Sequence, residues 1–316
     1  MIMGGNISFS IYITCLILSL GIAGPLVQAT YYGDNFAVID ASIRQIGDFL
    51  DTPELERPLE KVKLNDEGFR FEGVSFGYGE QEILHDVTFS PVRGGKTAIV
   101  GPSGSGKSTI AKLMAGFWDV TTGKIFYGGQ DIRNIPSSQL MEHISFVSQD
   151  NFLFNMSIKE NIRMGNPNAT DEEVFKVAKA ARCDEFIRKL EYGYDTLGGD
   201  AGGKLSGGER QRITIARAML KSADTIILDE ASAYADPENE VYIEEAIQEL
   251  VKNKTLIVIA HRLATIENSD KIVVVDQGKV VAEGTQAELL ENSPLYQRLW
   301  KETLVGSEQE GGSGNA

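Results

Sequence analysis

The chain opens on an apolar stretch and then changes pattern twice. No charged residue occurs from Met1 to Gly33, and a helix over Ile7 to Gln28 would span roughly 33 Å, enough for a hydrocarbon core of about 30 Å. The pattern predicts one transmembrane helix. Its serines, Tyr12, Thr14, Gly21 and Pro25 make it less greasy than a lone anchor, which suits a helix packed in a bundle with one polar side. Phe36, Ile39, Ile43, Ile46 and Leu50 then recur at three- and four-residue steps, so the helix is expected to continue as a narrow apolar stripe through residue 51. Thr52-Pro53-Glu54 ends it, and residues 52–66 read as a polar linker.

From residue 67 the pattern shifts to short, continuous apolar runs. Thr97 to Val100, Thr225 to Leu228, Thr255 to Ala260 and Lys271 to Asp276 read as strands buried on both faces. Between them Ile110, Leu113, Met114 and Phe117, and later Ile213, Ala216 and Met219, recur at helical spacing. The expected fold is α/β, with a β-rich start over Phe69 to Phe89, a helical insert from about Ser137 to Ala201, and closing helices near Trp300. The domain is placed at 67–302. The tail at 303–316, polar and rich in Gly, Ser and Glu, is expected to be disordered.

Candidate chemistry sits at the ends of these runs. After Thr97 to Val100 comes Gly101-Pro102-Ser103-Gly104-Ser105-Gly106-Lys107-Ser108-Thr109. Glycines in such a loop let backbone N–H groups close on a triphosphate, and the following helix points its positive end at the same charge. Lys107 would reach the β- and γ-phosphates and Ser108 would place its hydroxyl on Mg²⁺. The run at Thr225 ends in Asp229 and Glu230. Asp229 would hold Mg²⁺ through water, and Glu230 is the general-base candidate for the water that attacks the γ-phosphate. Thr255 to Ala260 ends at His261, a polar group placed for the γ-phosphate. His85 and His143 lack that context and read as structural. Further on, Leu205-Ser206-Gly207-Gly208-Glu209 opens a helix, and Ser206, Gly207 and Gly208 offer a hydroxyl and bare amides as a second anion site.

These pieces, in this order, resemble the nucleotide-binding domain of an ATP-binding cassette (ABC) transporter over residues 66–302. The resemblance implies a P-loop NTPase of ABC type, with a β-rich subdomain and a helical insert, that binds ATP with Mg²⁺. It implies that Tyr78 stacks on adenine, that Gln149 touches the metal and reports to the membrane domain, and that Leu205 to Glu209 is the family signature. Asp236 falls at the loop aspartate that crosses the dimer interface, and His261 at the switch histidine. It further implies that ATP is closed between Lys107 of one copy and Ser206 of another, so that the partner is a second half-transporter, identical or different. Two departures stand out. Ser232-Ala233-Tyr234-Ala235-Asp236 replaces the usual Thr-Ser-Ala-Leu-Asp, and Gly199-Asp200-Ala201-Gly202 replaces Gly-Glu-x-Gly.

Exporter-type half-molecules of that family have six membrane helices, so the chain reads as a partial half-transporter with only the last one. A signal peptide cleaved after Val27-Gln28-Ala29 is the competing reading of the apolar start. No basic residue precedes the stretch, however, and export would part an ATPase from its ATP. The expected location is therefore the inner (plasma) membrane with the ATPase in the cytosol. Asp236-Pro237-Glu238-Asn239-Glu240 resembles a siderophore-uptake subset with the same architecture, the alternative for direction. A soluble ABC ATPase acting on DNA or ribosomes is disfavoured by the membrane helix and by the formal net charge of −15, which repels a phosphate backbone. Cys15 and Cys183 are too few and too scattered for a disulfide framework or a metal site.

Overall fold

The computed structural model describes residues 8–52, 54–65, 67–199, 202–203, 205–229, 237–260, 266 and 268–311. They fall into two units, Met1–Leu55 and Glu56–Ala316. The first is one helix, α1 (Phe9–Leu50), which merges the predicted span and the predicted stripe. Ser8 caps it by accepting a hydrogen bond from the Ile11 amide. The hydroxyls of Thr14, Ser19 and Thr30 donate to the helix carbonyls of Ser10, Leu16 and Val27, so these polar side chains are satisfied locally inside an apolar segment. By length and composition α1 can cross a membrane.

The second unit is built on two sheets. β1 (Phe69–Tyr78), β2 (Gln81–Phe89), β4 (Thr122–Tyr127) and β5 (Gln130–Asp131) form an antiparallel sheet in the order β2-β1-β4-β5. β3 (Lys96–Val100), β6 (Ile144–Val147), β7 (Thr225–Asp229), β8 (Thr255–Ile259), β9 (Lys271–Asp276) and β10 (Lys279–Gly284) form the other, in the order β10-β9-β3-β8-β7-β6. Every pairing in it is parallel except that of the edge strand β10.

The continuous apolar runs are explained by the two cores this sheet separates. Ala98, Val100, Ile226, Leu228, Val258 and Val274 pack into one. Their strand neighbours Ile99, Ile227, Ile257, Ile259 and Val273 pack into the other, against the antiparallel sheet and α2 (Lys107–Met114). Side chains alternate between the faces of a strand, so a strand covered on both faces has no position left for a polar residue until its tip.

Four sequence expectations change. First, α3 (Ser137–His143) leads directly into β6, which pairs with β7 in register, Val147 opposite Leu228. Ile144 to Val147 is thus an edge strand of the main sheet, and the helical insert begins after it. The insert holds α4 (Ile158–Arg163), α5 (Asp171–Ala180) and α6 (Asp184–Lys189), and the chain then enters α7 (Gly207–Lys221) and α8 (Pro237–Leu250). Second, Phe117 is not on α2. Gly116 has a φ of +71°, a left-handed turn that stops the helix, and Phe117 is left exposed. Third, after α9 (Gln286–Asn292) the final helix, α10 (Pro294–Gly311), runs past residue 302 into the expected disordered tail. No proline follows Pro294, and Glu and Gln are good helix formers.

Fourth, the predicted linker is bound to the domain at several points from Arg57 onward. The Arg57 guanidinium pairs with both carboxylate oxygens of Asp119, and Lys61 pairs with Glu142. The Gln139 side-chain amide bonds both backbone groups of Val62, while the Asn65 amide donates to the Gly128 carbonyl.

Candidate functional site

The parallel strands bring the predicted chemistry to one edge. β3, β8, β7 and β6 run in the same direction, so their carboxyl ends lie side by side, the usual ligand edge of an open α/β sheet. β3 ends in the glycine loop, β7 in Asp229, and β6 just ahead of Gln149, which is exposed in the bend that follows.

The loop needs its glycines for different reasons. A Cβ on Gly101 would stand 2.0 Å from the Val275 carbonyl oxygen, and one on Gly106, at φ +102°, 2.6 Å from Leu84 Cδ2. Gly104 meets no neighbour but has a φ of +76°, which an L side chain rarely adopts. Ser103 and Gly104 are exposed at the crest, whereas Ser105, Lys107 and Thr109 are buried. Gly101→Ala is expected to abolish nucleotide binding because the whole loop must shift, and circular dichroism with an ATP titration will separate that loss from unfolding.

Lys107 is only 5% exposed. Its ammonium donates to the carbonyls of Gly101 and Pro102, both at 2.9 Å, so the loop curls around its own cation. The Ser105 hydroxyl is buried without a hydrogen-bond partner, an uncommon condition that a phosphate oxygen would relieve. The Ser108 hydroxyl donates to Asp229 Oδ1 at 2.9 Å, although the two residues are 121 apart in sequence. Two hard oxygens side by side fit Mg²⁺, which holds few protein ligands and takes its others from waters and substrate phosphates. Among the described residues no cluster of three or more His, Cys, Asp or Glu side chains could hold a metal by itself.

Tyr78, at the end of β1, is exposed, with Phe76 and Trp118 packed against it. Sequence reading missed Trp118, because nothing in its flanking residues says that it meets β1. Glu230, Asp236 and His261 lie outside the described residues, as do Asp200 and Ala201.

The second predicted anion site is the start of α7. Ser206 Oγ accepts from the Glu209 amide, and Glu209 returns a bond to the Ser206 amide at 2.8 Å, a complete capping box. That arrangement leaves the first-turn amides of Gly207 and Gly208 without an intrahelical acceptor. Ser206 is exposed and Gly208 buried. A Cβ on Gly208 would come 2.7 Å from Asn239 Cβ, so glycine is required here by packing against α8.

The apolar residues after Gln149 divide cleanly. Leu153 and Ile158 are fully buried in the core, whereas Phe152 and Phe154 are 50% and 43% exposed and meet edge to face. The two exposed rings line a surface groove of about 290 Å³ with Phe146, Met164, Arg217 and Lys221. Asn161, fully buried, bonds the backbone of Phe154 in both directions, and Arg217 bonds Asn161, so the groove wall is braced. Burial holds the Arg217 and Lys221 side chains below their ordinary pKa values. Leu153→Ala is expected to cost about 2–5 kcal/mol of stability and Phe152→Ala under about 1 kcal/mol, as chemical denaturation of the two variants will show.

Known proteins resemble this chain over most of its length. Residues 84–233 match the family described as ABC transporter. The chain is 44% identical over 263 residues to an ATP-dependent lipid A-core flippase of Desulfotalea psychrophila, covering 82% of this chain and 46% of the flippase. It is 39% identical over 315 residues to ATP-binding cassette sub-family B member 6 of Xenopus tropicalis, covering 98% of this chain and 36% of that protein. The solved structure of a bacterial Atm1-family ABC exporter with ATP bound superimposes with a TM-score of 0.76 at 39% identity, covering 82% of this chain and 46% of the exporter. The chain thus spans less than half the length of these relatives.

Proposed function

The chain belongs to the ABC transporter family through the domain matched at residues 84–233, and from that premise we propose that it is the ATP-hydrolysing subunit of an exporter-type transporter. The observation that carries this reading is the Ser108–Asp229 pair lying at the foot of the glycine loop, next to a buried lysine. Lys107 exchanges its two carbonyl partners for the β- and γ-phosphates, and the loop amides close on the same oxygens. Ser108, Asp229 and Gln149 would hold Mg²⁺, and the ion would neutralise charge developing on the phosphates. Glu230 takes a proton from the attacking water, and His261 contacts the γ-phosphate. Tyr78 stacks on the base.

The capped start of α7 completes the site of a second copy or of a sister half-transporter. The amides of its first turn, which lack an intrahelical acceptor, would take anionic oxygen there. The groove beside Phe152 and Phe154 receives an apolar element of the membrane domain, which ties hydrolysis to movement across the membrane. α1 supplies one of the membrane helices, with the ATPase on the cytosolic side, where ATP is.

If two copies are needed for one turnover, phosphate release per chain rises with protein concentration and levels off when all chains are paired. Sedimentation at the same concentrations checks the pairing. A concentration-independent rate from a demonstrated monomer contradicts the shared site.

A further inference from the structure

Three aromatic rings and one ion pair meet where the chain leaves α2. Phe76 and Tyr78, two apart on β1, share a face of the strand. Phe76 is 4% exposed and anchors the group. The Tyr78 ring stands 5.0 Å from it at 87°, and the Trp118 ring 5.4 Å from Tyr78 at 84°. Tyr78 and Trp118 are 38% and 46% exposed, so two rings at nearly a right angle keep open surface above a buried third. Such a corner offers a planar heteroaromatic one ring face and one ring edge, the two geometries that aromatic pairs prefer.

Trp118 is not held by a helix, since α2 has already ended at Gly116. What holds it is the next residue. Both oxygens of Asp119 accept from the Arg57 guanidinium, at 3.0 and 2.5 Å. The Arg57 side chain is only 7% exposed, while its neighbours Leu55 and Leu59 are 44% and 97% exposed. A two-pronged pair with its guanidinium buried, between exposed neighbours, is a positional fixture, not a solvated charge. None of the phosphate chemistry requires it.

We propose that Trp118 is a second aromatic wall of the base site, contacting the nucleobase together with Tyr78, and that Arg57 is the positioning residue that holds it there through Asp119. The inference rests on the reading of Tyr78 as the base-stacking residue. It assigns the corner to the base of a nucleoside triphosphate and to no part of its phosphate chain.

The chain has two tryptophans, so Trp300→Phe in the full chain, held in detergent micelles, leaves Trp118 as the sole tryptophan, whose emission is read by excitation at wavelengths tyrosine does not absorb. Titration with ATP in EDTA is expected to change that emission saturably, and titration with inorganic tripolyphosphate is not. In calorimetry Trp118→Ala is expected to weaken ATP about five- to tenfold with tripolyphosphate affinity unchanged, and Trp118→Phe to recover most of the loss. Arg57→Gln is expected to shift Trp118 emission before nucleotide is added and to weaken ATP in the same direction. Emission unmoved at saturating ATP, or parent affinity in Trp118→Ala, overturns the second wall. Parent emission and affinity in Arg57→Gln overturn the positioning role. Tyr78→Ala separates the two levels: weakened ATP binding there keeps the base site while Trp118 falls, and unchanged binding removes the base-site reading itself.

Discussion

Glu230→Gln is expected to bind ATP as the parent does and to hydrolyse it about 10²- to 10⁴-fold more slowly, the usual loss when a positioned general base is removed. The amide keeps the size and one oxygen of the carboxylate but cannot take a proton from water. The groups proposed to grip the phosphates are others, the loop at 101–109 with its Ser108–Asp229 pair, His261 and the start of a second copy's α7, so affinity has no reason to fall. Slow hydrolysis with intact binding holds the nucleotide in place, and a species of twice the chain mass is therefore expected to accumulate in size-exclusion chromatography with ATP. Steady-state phosphate release and an ATP titration measure the two halves of this prediction. Turnover close to the parent rate would falsify the assignment of Glu230 as base. Lost affinity would instead move it into the binding set.

How far the sequence could be read depended on how local each feature's cause is. The glycine loop was legible because its glycines form a pattern in a short stretch of sequence, although the fold also requires Gly101 and Gly106 through Val275 and Leu84. Asp229 and Ser108 could each be picked out from the sequence as candidate metal ligands. That they meet at 2.9 Å follows only from the strand order, which places β3 and β7 on either side of β8 with their ends aligned.

The contacts of the linker were not legible, for the opposite reason. Arg57 and Lys61 look like solvated charges until Asp119 and Glu142, sixty and more residues away, are folded against them. Leu153 and Phe152 could not be told apart either. In an irregular segment no period marks which apolar residue turns inward, and here the smaller one went into the core. Phe117 was misplaced because a helical pattern was carried across Gly116, where a left-handed turn had already ended the helix.

Lys107→Ala tests the other side of the same site, and here affinity itself is expected to fail. A hydrogen bond to a charged group contributes about 1.5–3 kcal/mol, which corresponds to a loss of roughly 10- to 150-fold in ATP affinity. The structure adds a second cost. Lys107 satisfies the Gly101 and Pro102 carbonyls, which line the loop just where a phosphate must approach. Without the ammonium these two dipoles present bare oxygens to an anion, so the cradle turns from attractive to repulsive. Lys107→Arg probes whether charge alone is enough. Its larger, planar head has no room at a position 5% exposed, so it is expected to recover little. Calorimetric titration with ATP and with tripolyphosphate reads the effect directly, and both ligands should weaken together because the lysine acts on phosphate and not on the base. If Lys107→Ala binds either ligand as tightly as the parent chain, the loop at 101–109 is not the phosphate site.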